Sequence, residues 1–429
     1  MNTFTMKFKI PEGITEAQAR STFFWTPDGT GSFVSPHAGP RLGQLGPVRP
    51  ANADLVRLAA LTYAADRSVL RRGGGSNWSR REVHLTVPVT DAAAWEAVRE
   101  QWEGLLAFLS GDSWSLTFRN MRLPAEHVSE YAYPGAEKVV LLSGGADSAI
   151  GSLLSQHELG DRKQLLFSHV GATNIAPRQR EVAEQIAKLT GSSELPHHQI
   201  RFSRRAVQPD GSRFADERST RTRSLLFIAL GLGLASIEEV DLHIPENGFA
   251  SLNVPLGADQ RGSLSTRTTH PYFLSELSRL ATAAGAHAPV SNPMSAMTKG
   301  KMFASVGELV GKKASSFLSL THSCGHTGHR SLGYPVLSHC GVCFSCLLRR
   351  ASFKASKIKD QTVYLSDAGD ARLAAYLQDK SMQTSLHAFL GRGLRTPDLL
   401  ALNLPDGYPL SDAQSLIERG MRELETINR

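Results

Sequence analysis

The sequence predicts an α/β protein: a parallel sheet covered by helices, with a cysteine-rich subdomain, an α+β unit ahead of it and a helical appendix behind. Three observations predict this. From residue 138 onward, apolar runs rich in β-branched residues alternate with segments of helical periodicity, the pattern of a parallel sheet. The turn after the first run is rich in glycine, "LLSGGADS". All five tryptophans lie no later than residue 114 and all four cysteines lie beyond residue 320, so the composition changes along the chain. The length of 429 residues suits two or three domains, and 41% hydrophobic with 20% charged residues suits a globular chain rather than a disordered or coiled one.

Residues 1–130 read as a small α+β unit. Residues 26–50 are rich in Pro and Gly and read as loop. Val83, Leu85, Val87 and Val89 alternate like a half-buried strand, in which Pro88 favours an edge position. Thr90 is expected to cap a helix that places Trp95, Val98, Trp102, Leu105 and Leu109 on one face. Trp114, Leu116 and Phe118 then alternate again, and no motif here carries chemistry.

Residues 131–320 hold the sheet. "KVVLLS" reads as a strand, followed by a helix with Ala149, Ile150, Leu153 and Leu154 inward. "QLLFSHVG" is the next strand, and the helix after it, with Val182, Ile186 and Leu189, stops at Gly191. "HHQIRF", the helical "TRTRSLLFIALGLGLAS" and the strand "VDLHIP" complete the series. Such sheets bind ligands at the carboxyl ends of their strands. Residues 321–357 are expected to form a metal-binding subdomain, and 358–429, with "AQSLIERGMRELETI", the helical appendix. No stretch reaches the roughly 18 apolar residues of a membrane span, and "MNTFTMKFKIPEG" lacks the apolar core of a secretory signal. A cytoplasmic protein without membrane contact is expected. The net charge of +7 is spread along the chain, which permits an anionic ligand and does not require nucleic acid.

A strand entering a glycine turn that opens a helix makes an anion site, because unpaired N–H groups and the helix dipole converge there. Gly144 and Gly145 let the backbone approach a phosphate, and Ser143 and Ser148 offer hydroxyls. Asp147 would repel a phosphate unless a cation lies between them, which suggests Mg²⁺. The loop lacks the Gly-Lys-Ser/Thr ending of a Walker A motif, and a plain strand-to-helix turn is the competing reading. Cys324, Cys340, Cys343 and Cys346, spaced C-x15-C-x2-C-x2-C, supply four thiolates for tetrahedral Zn²⁺. An iron–sulfur cluster accepts the same number of cysteines. His322, His326, His329 and His339 crowd the segment without being needed as ligands.

The string Ser-Gly-Gly-x-Asp-Ser after an apolar strand resembles the loop of the PP-loop ATP pyrophosphatases, which cleave ATP between the α- and β-phosphates and adenylate a substrate oxygen. Together with the cysteine motif, over residues 137–357, it resembles the 7-cyano-7-deazaguanine synthase (QueC) family. That resemblance implies ATP as cofactor and adenylation of the carboxylate of 7-carboxy-7-deazaguanine, followed by attack of an amine. It implies that Asp147, Ser148, Arg223 in "RTRSLLF" and Lys299 in "NPMSAMTKGKMF" serve catalysis, with Lys299 neutralising the transition state. Ser168 and His169, ending the second strand, fall where such enzymes hold adenine. For Arg223, Lys299 and His169 a surface or core role is the alternative.

"PENGFASLNVPL", the long x15 spacing and the added amino-terminal unit depart from the ordinary synthase. Glu246 accepts both N1–H and NH₂ of a guanine-like edge in this reading, with Asn247 beside it; a turn-capping carboxylate is the rival. These departures resemble the QueC-like branch of bacterial anti-phage operons, the QatC proteins of Qat systems. That branch implies a partner protein from the same operon, with residues 1–130 as the candidate docking surface. A thiolating pyrophosphatase would carry a cysteine near the loop, and none precedes Cys324. A nucleotide- and zinc-binding scaffold without turnover is the third reading.

Overall fold

The computed structural model describes residues 2–428 other than 37, 72–79, 172–174, 193, 218, 257–266 and 327. Its strands are β1 (Asn2–Lys7), β2 (Thr22–Phe24), β3 (Phe33–Val34), β4 (Glu82–Val89), β5 (Ser113–Asn120), β6 (Ala136–Leu141), β7 (Lys163–Val170), β8 (His197–Arg201), β9 (Ser203–Arg204), β10 (Asp241–His243) and β11 (Val290–Ser291). The central sheet has the order β11-β10-β6-β7-β8, and each neighbouring pair is parallel. The predicted alternation of strand and helix is its cause, since parallel neighbours need crossovers.

Along β6 and the residue after it, successive side chains enter opposite faces. Val139 and Leu141 join the apolar cluster that includes the helix Arg223–Glu238. Val140 and Leu142 join the cluster of the helices Ala146–Leu159, Ala176–Thr190 and Lys299–Val310. A sheet buried on both faces explains why these strands read as continuous apolar runs. The chain winds from β6 out to β7 and β8, then returns to the other side of β6 for β10 and β11. The winding direction therefore reverses at β6 and β10, and the open crevice lies at their carboxyl ends.

The amino-terminal unit mixes helices with a second sheet, ordered β2-β1-β4-β5, whose pairs are also all parallel. Pro88 does not mark an edge: β4 lies between β1 and β5. The proline is tolerated because β1 pairs with β4 only as far as Thr86, so no ladder bond from that side is required of residue 88. Thr90 does not cap the following helix either. Its N–H and hydroxyl are held by Asp54, and the cap is Asp91, whose carboxylate accepts from Ala93 N–H at 3.1 Å and Ala94 N–H at 3.2 Å. The expected single helix is two, Ala92–Glu96 and Arg99–Ser110, with Trp95, Trp102, Leu105 and Leu109 buried as expected.

This unit shares its core with the central sheet. One cluster of buried side chains runs from Phe4 and Trp25 through the helix Pro50–Ser68 to Leu226, Leu230 and Leu242. Asn52, fully buried, donates to Leu232 O at 3.1 Å and His287 O at 2.7 Å across that contact. Asp66 accepts from Thr222 N–H at 3.0 Å and its hydroxyl at 2.9 Å, and pairs with Arg81. At the other end, the helix Leu410–Glu425 packs on the helices Gly248–Leu252 and Phe344–Ser356. Among the described residues, no helix is long and apolar enough to cross a membrane.

Candidate functional site

The turn between β6 and the helix Ala146–Leu159 requires its glycines. Gly144 has φ of +87°, where a side chain is strained. Ser143 N–H donates to Ser148 Oγ at 3.1 Å, the two hydroxyls meet at 2.9 Å, and Ser148 Oγ donates to Gly145 O at 3.1 Å. The two serines thus brace each other and hold the loop closed over the helix start. The first-turn N–H groups of that helix have no intrahelical acceptor, which leaves an anion site at the switch point.

Asp147, in that first turn, is the centre of the charged cluster. Its Oδ2 pairs with Lys299 Nζ, and its Oδ1 accepts from Asn247 Nδ2 at 3.0 Å and Asn247 N–H at 3.3 Å. Lys299 is buried and opens the helix Lys299–Val310, with Thr298 as its cap. Asn247 also donates to Glu246 Oε1 at 2.9 Å, and its Oδ1 accepts from Ala250 N–H at 2.9 Å. Every polar atom of its amide is therefore engaged, so Asn247 organises the carboxylates and is not itself free to read a substrate. Glu246 is held by Asn292, whose Oδ1 accepts from Glu246 N–H at 3.1 Å and whose Nδ2 donates to Glu246 O at 2.8 Å. Burial, and then the neighbouring Asp147 charge, push the Glu246 carboxyl up to about 8. A cavity of about 190 Å³ is lined by Ser143, Asp147, Glu246, Lys299 and His322. Lys299 meets the negative charge of Asp147 that the sequence assigned to a divalent cation; the Asp147 carboxylate is the hard oxygen donor here that would suit Mg²⁺.

His169 and Arg223 line a second cavity, of about 580 Å³, which shares Ser143 and His322 with the first. His169 Nε2 meets Phe202 O at 2.8 Å; since a carbonyl only accepts, Nε2 carries the proton and Nδ1 is left as an acceptor. Burial pushes this ring down to about 4, so it is neutral at neutral pH. Tyr63 and Arg67 of the amino-terminal unit complete the same wall. Ser168 is placed elsewhere: fully buried, its hydroxyl donates to Leu142 O at 2.5 Å and meets His197 Nε2 at 2.8 Å, and it lines neither cavity.

The four cysteine sulfurs lie within 4.8 Å of one another, with Cys340 and Cys346 3.8 Å apart. A tetrahedral ion with Zn–S bonds of about 2.3 Å spaces its sulfurs by about 3.8 Å, so the set fits one ion; an iron–sulfur cluster would spread them wider. The cysteine segment is tied to the glycine loop. His322 N–H donates to Gly144 O at 2.9 Å, two residues before Cys324. Buried Arg349, on the helix that begins after Cys343, donates to Thr321 Oγ1 at 2.9 Å and Leu318 O at 2.6 Å. Sequence reasoning passed over His322 and Asn292 as site residues; Asn292 opens the segment "NPMSAMTKGKMF" and His322 stands two residues before the first cysteine, but only the fold shows what they touch.

Parallel strands, a glycine loop at the switch point and a nearby four-cysteine set define a class, the α/β proteins with a PP-loop-like core. No family model matches the sequence. It is 30% identical over 252 residues to 7-cyano-7-deazaguanine synthase 1 of Sphingopyxis alaskensis, a match covering 54% of this chain and 99% of that one. It is 27% identical over 244 residues to the 7-cyano-7-deazaguanine synthase of Ralstonia nicotianae, covering 53% and 97%. Against the Myxococcus xanthus enzyme of that name, 30% identity extends over 150 residues, 34% of this chain and 56% of the relative. The chain belongs to the 7-cyano-7-deazaguanine synthase family.

Proposed function

We propose that the protein uses ATP to adenylate the carboxylate of a 7-deazaguanine acid, as in 7-carboxy-7-deazaguanine, and passes the acyl group to an amine. The carboxylate oxygen attacks the α-phosphorus and pyrophosphate leaves; the amine then attacks the acyl carbon and AMP leaves. The observation that carries this reading is the Asp147–Lys299 pair beside the glycine loop, with Glu246 next to it in the same cavity. The loop holds pyrophosphate, His169 and Arg223 face the nucleotide in the adjoining cavity, and Lys299 offsets charge developing at phosphorus. Glu246, losing its proton to solvent as the base binds, accepts the N1–H and NH₂ edge of the base. Mg²⁺ would be held by Asp147 and the phosphates and would screen their charge; Zn²⁺ in the four thiolates would be structural.

In this reading the acceptor is an amine on a partner protein, as fits a role in anti-phage defence, with residues 1–130 presenting the docking surface. What supports it is that 54% of the chain matches the Sphingopyxis synthase, leaving nearly half outside that match, and that Tyr63 and Arg67 from the added part reach the cavity wall. Ammonia as acceptor, giving an amide and, after a second ATP adenylates the amide oxygen and it departs as AMP, a nitrile, is the second reading, favoured by the names of the relatives. Incubation with ATP and 7-carboxy-7-deazaguanine, with and without ammonia, should yield AMP with a protein adduct or with amide and nitrile. Asp147→Asn should lower AMP release at least about 100-fold, the size of losing one charged transition-state partner. Tight ATP binding with no AMP would leave only a scaffold.

A further inference from the structure

The helix Lys299–Val310 must hold Lys299 against Asp147 with a short side-chain cap, since Thr298 serves only the Lys301 N–H, at 3.3 Å. The remaining support comes from the far end of the chain. Glu423 Oε1 accepts from the Thr298 hydroxyl, and Oε2 accepts from Gly300 N–H at 2.9 Å, so one carboxylate grips the residues on both sides of Lys299. The fit is close: a Cβ on Gly300 would lie 2.6 Å from the Glu423 carboxyl carbon. The same helix holds the preceding turn, with Arg419 Nη2 donating to Ala296 O at 3.1 Å. It also abuts the Asn247 turn, where a Cβ on Gly248 would lie 2.6 Å from Leu416 Cδ2. The last helix thus closes on the loops that bear both partners of Asp147.

We infer that Glu423 is a positioning residue for Lys299: it fixes the start of the Lys299 helix so that the ammonium stands ready at Asp147. The inference rests on the adenylation reading for its catalytic consequence, and its geometry is tested apart from it. Lys299 is buried, while Lys301 two residues on is 56% exposed at its side chain, so acetic anhydride followed by mass spectrometry reads the Lys299/Lys301 labelling ratio without any turnover. Glu423→Ala should raise that ratio at least about fivefold through local opening of the helix start. It should lower kcat for AMP release about tenfold or more, with KM for ATP within about twofold, the signature of an interaction made in the transition state. Glu423→Gln keeps an oxygen for Gly300 N–H and should recover most of both losses. Ile417→Ala, a buried change on the same helix, should lower the melting temperature and leave the ratio at the wild-type value. An unchanged ratio in Glu423→Ala, or an equal rise in Ile417→Ala, overturns the inference. Wild-type protein that releases no AMP with the deazaguanine acid defeats the adenylation reading instead, while the labelling ratio still decides whether Glu423 places Lys299.

Discussion

Glu246 and Asp147 share one cavity with a single ammonium, so their protonation is part of the design. The folded protein holds the Glu246 proton up to about 8, against an ordinary glutamate value of 4.5. Between these values the folded state binds more protons than the unfolded one, so stability should fall as pH rises through this window and level off above it. Urea titrations from pH 4 to 9 should show that fall in the wild type and a flatter profile in Glu246→Gln. The same variant should raise KM for the deazaguanine acid by about tenfold, the worth of one hydrogen bond to the carboxylate that forms when the base displaces the Glu246 proton. At this scale the sequence was most legible where chemistry is contiguous: Ser143 to Ser148 and the four cysteines declare themselves by spacing. It was silent where a role depends on a distant partner. Asn247 reaches Asp147 across 100 positions, and Thr298 reaches Glu423 across 125, and no local pattern records either contact.

Elements place these residues through close backbone approaches. Gly151, on the helix that begins at the glycine loop, packs against Pro245, immediately before Glu246; a Cβ there would lie 2.1 Å from Pro245 Cβ. Gly151→Ala should therefore push the Glu246 turn outward and destabilise the protein by about 1–3 kcal/mol, the usual scale of overpacking. Chemical denaturation measures the first effect and KM for the deazaguanine acid the second. Helical periodicity showed Ala149, Ile150, Leu153 and Leu154 as inward residues; the first three are fully buried and Leu154 is half-buried at the edge of the same cluster. It gave no reason for the glycine between them, because that reason belongs to another element. Pro88 and Thr90 show the same limit: local preference names an edge and a cap, whereas the extent of β1 and the carboxylate of Asp54 decide the outcome.

The whole molecule is tied together from both ends. Phe4, Trp25 and Leu58 share one apolar cluster with Leu226 and Leu242, and each such side chain contributes roughly 1.5–3 kcal/mol when buried. A chain lacking residues 1–130 should expose that face and aggregate, and the full chain should melt with the two sheets in one transition, as calorimetry can check. The sequence divided these regions by composition, but composition does not show which apolar faces meet. Apart from the short antiparallel pair of β3 and β9, both sheets are built from parallel neighbours, and Thr5 and Thr86, bonded across β1 and β4, stand 81 residues apart. Neither sheet can begin from a tight hairpin, so long loops must close before any ladder rewards them. The newly made chain should accordingly fold slowly, with its strand edges open to wrong neighbours until the last crossover is complete.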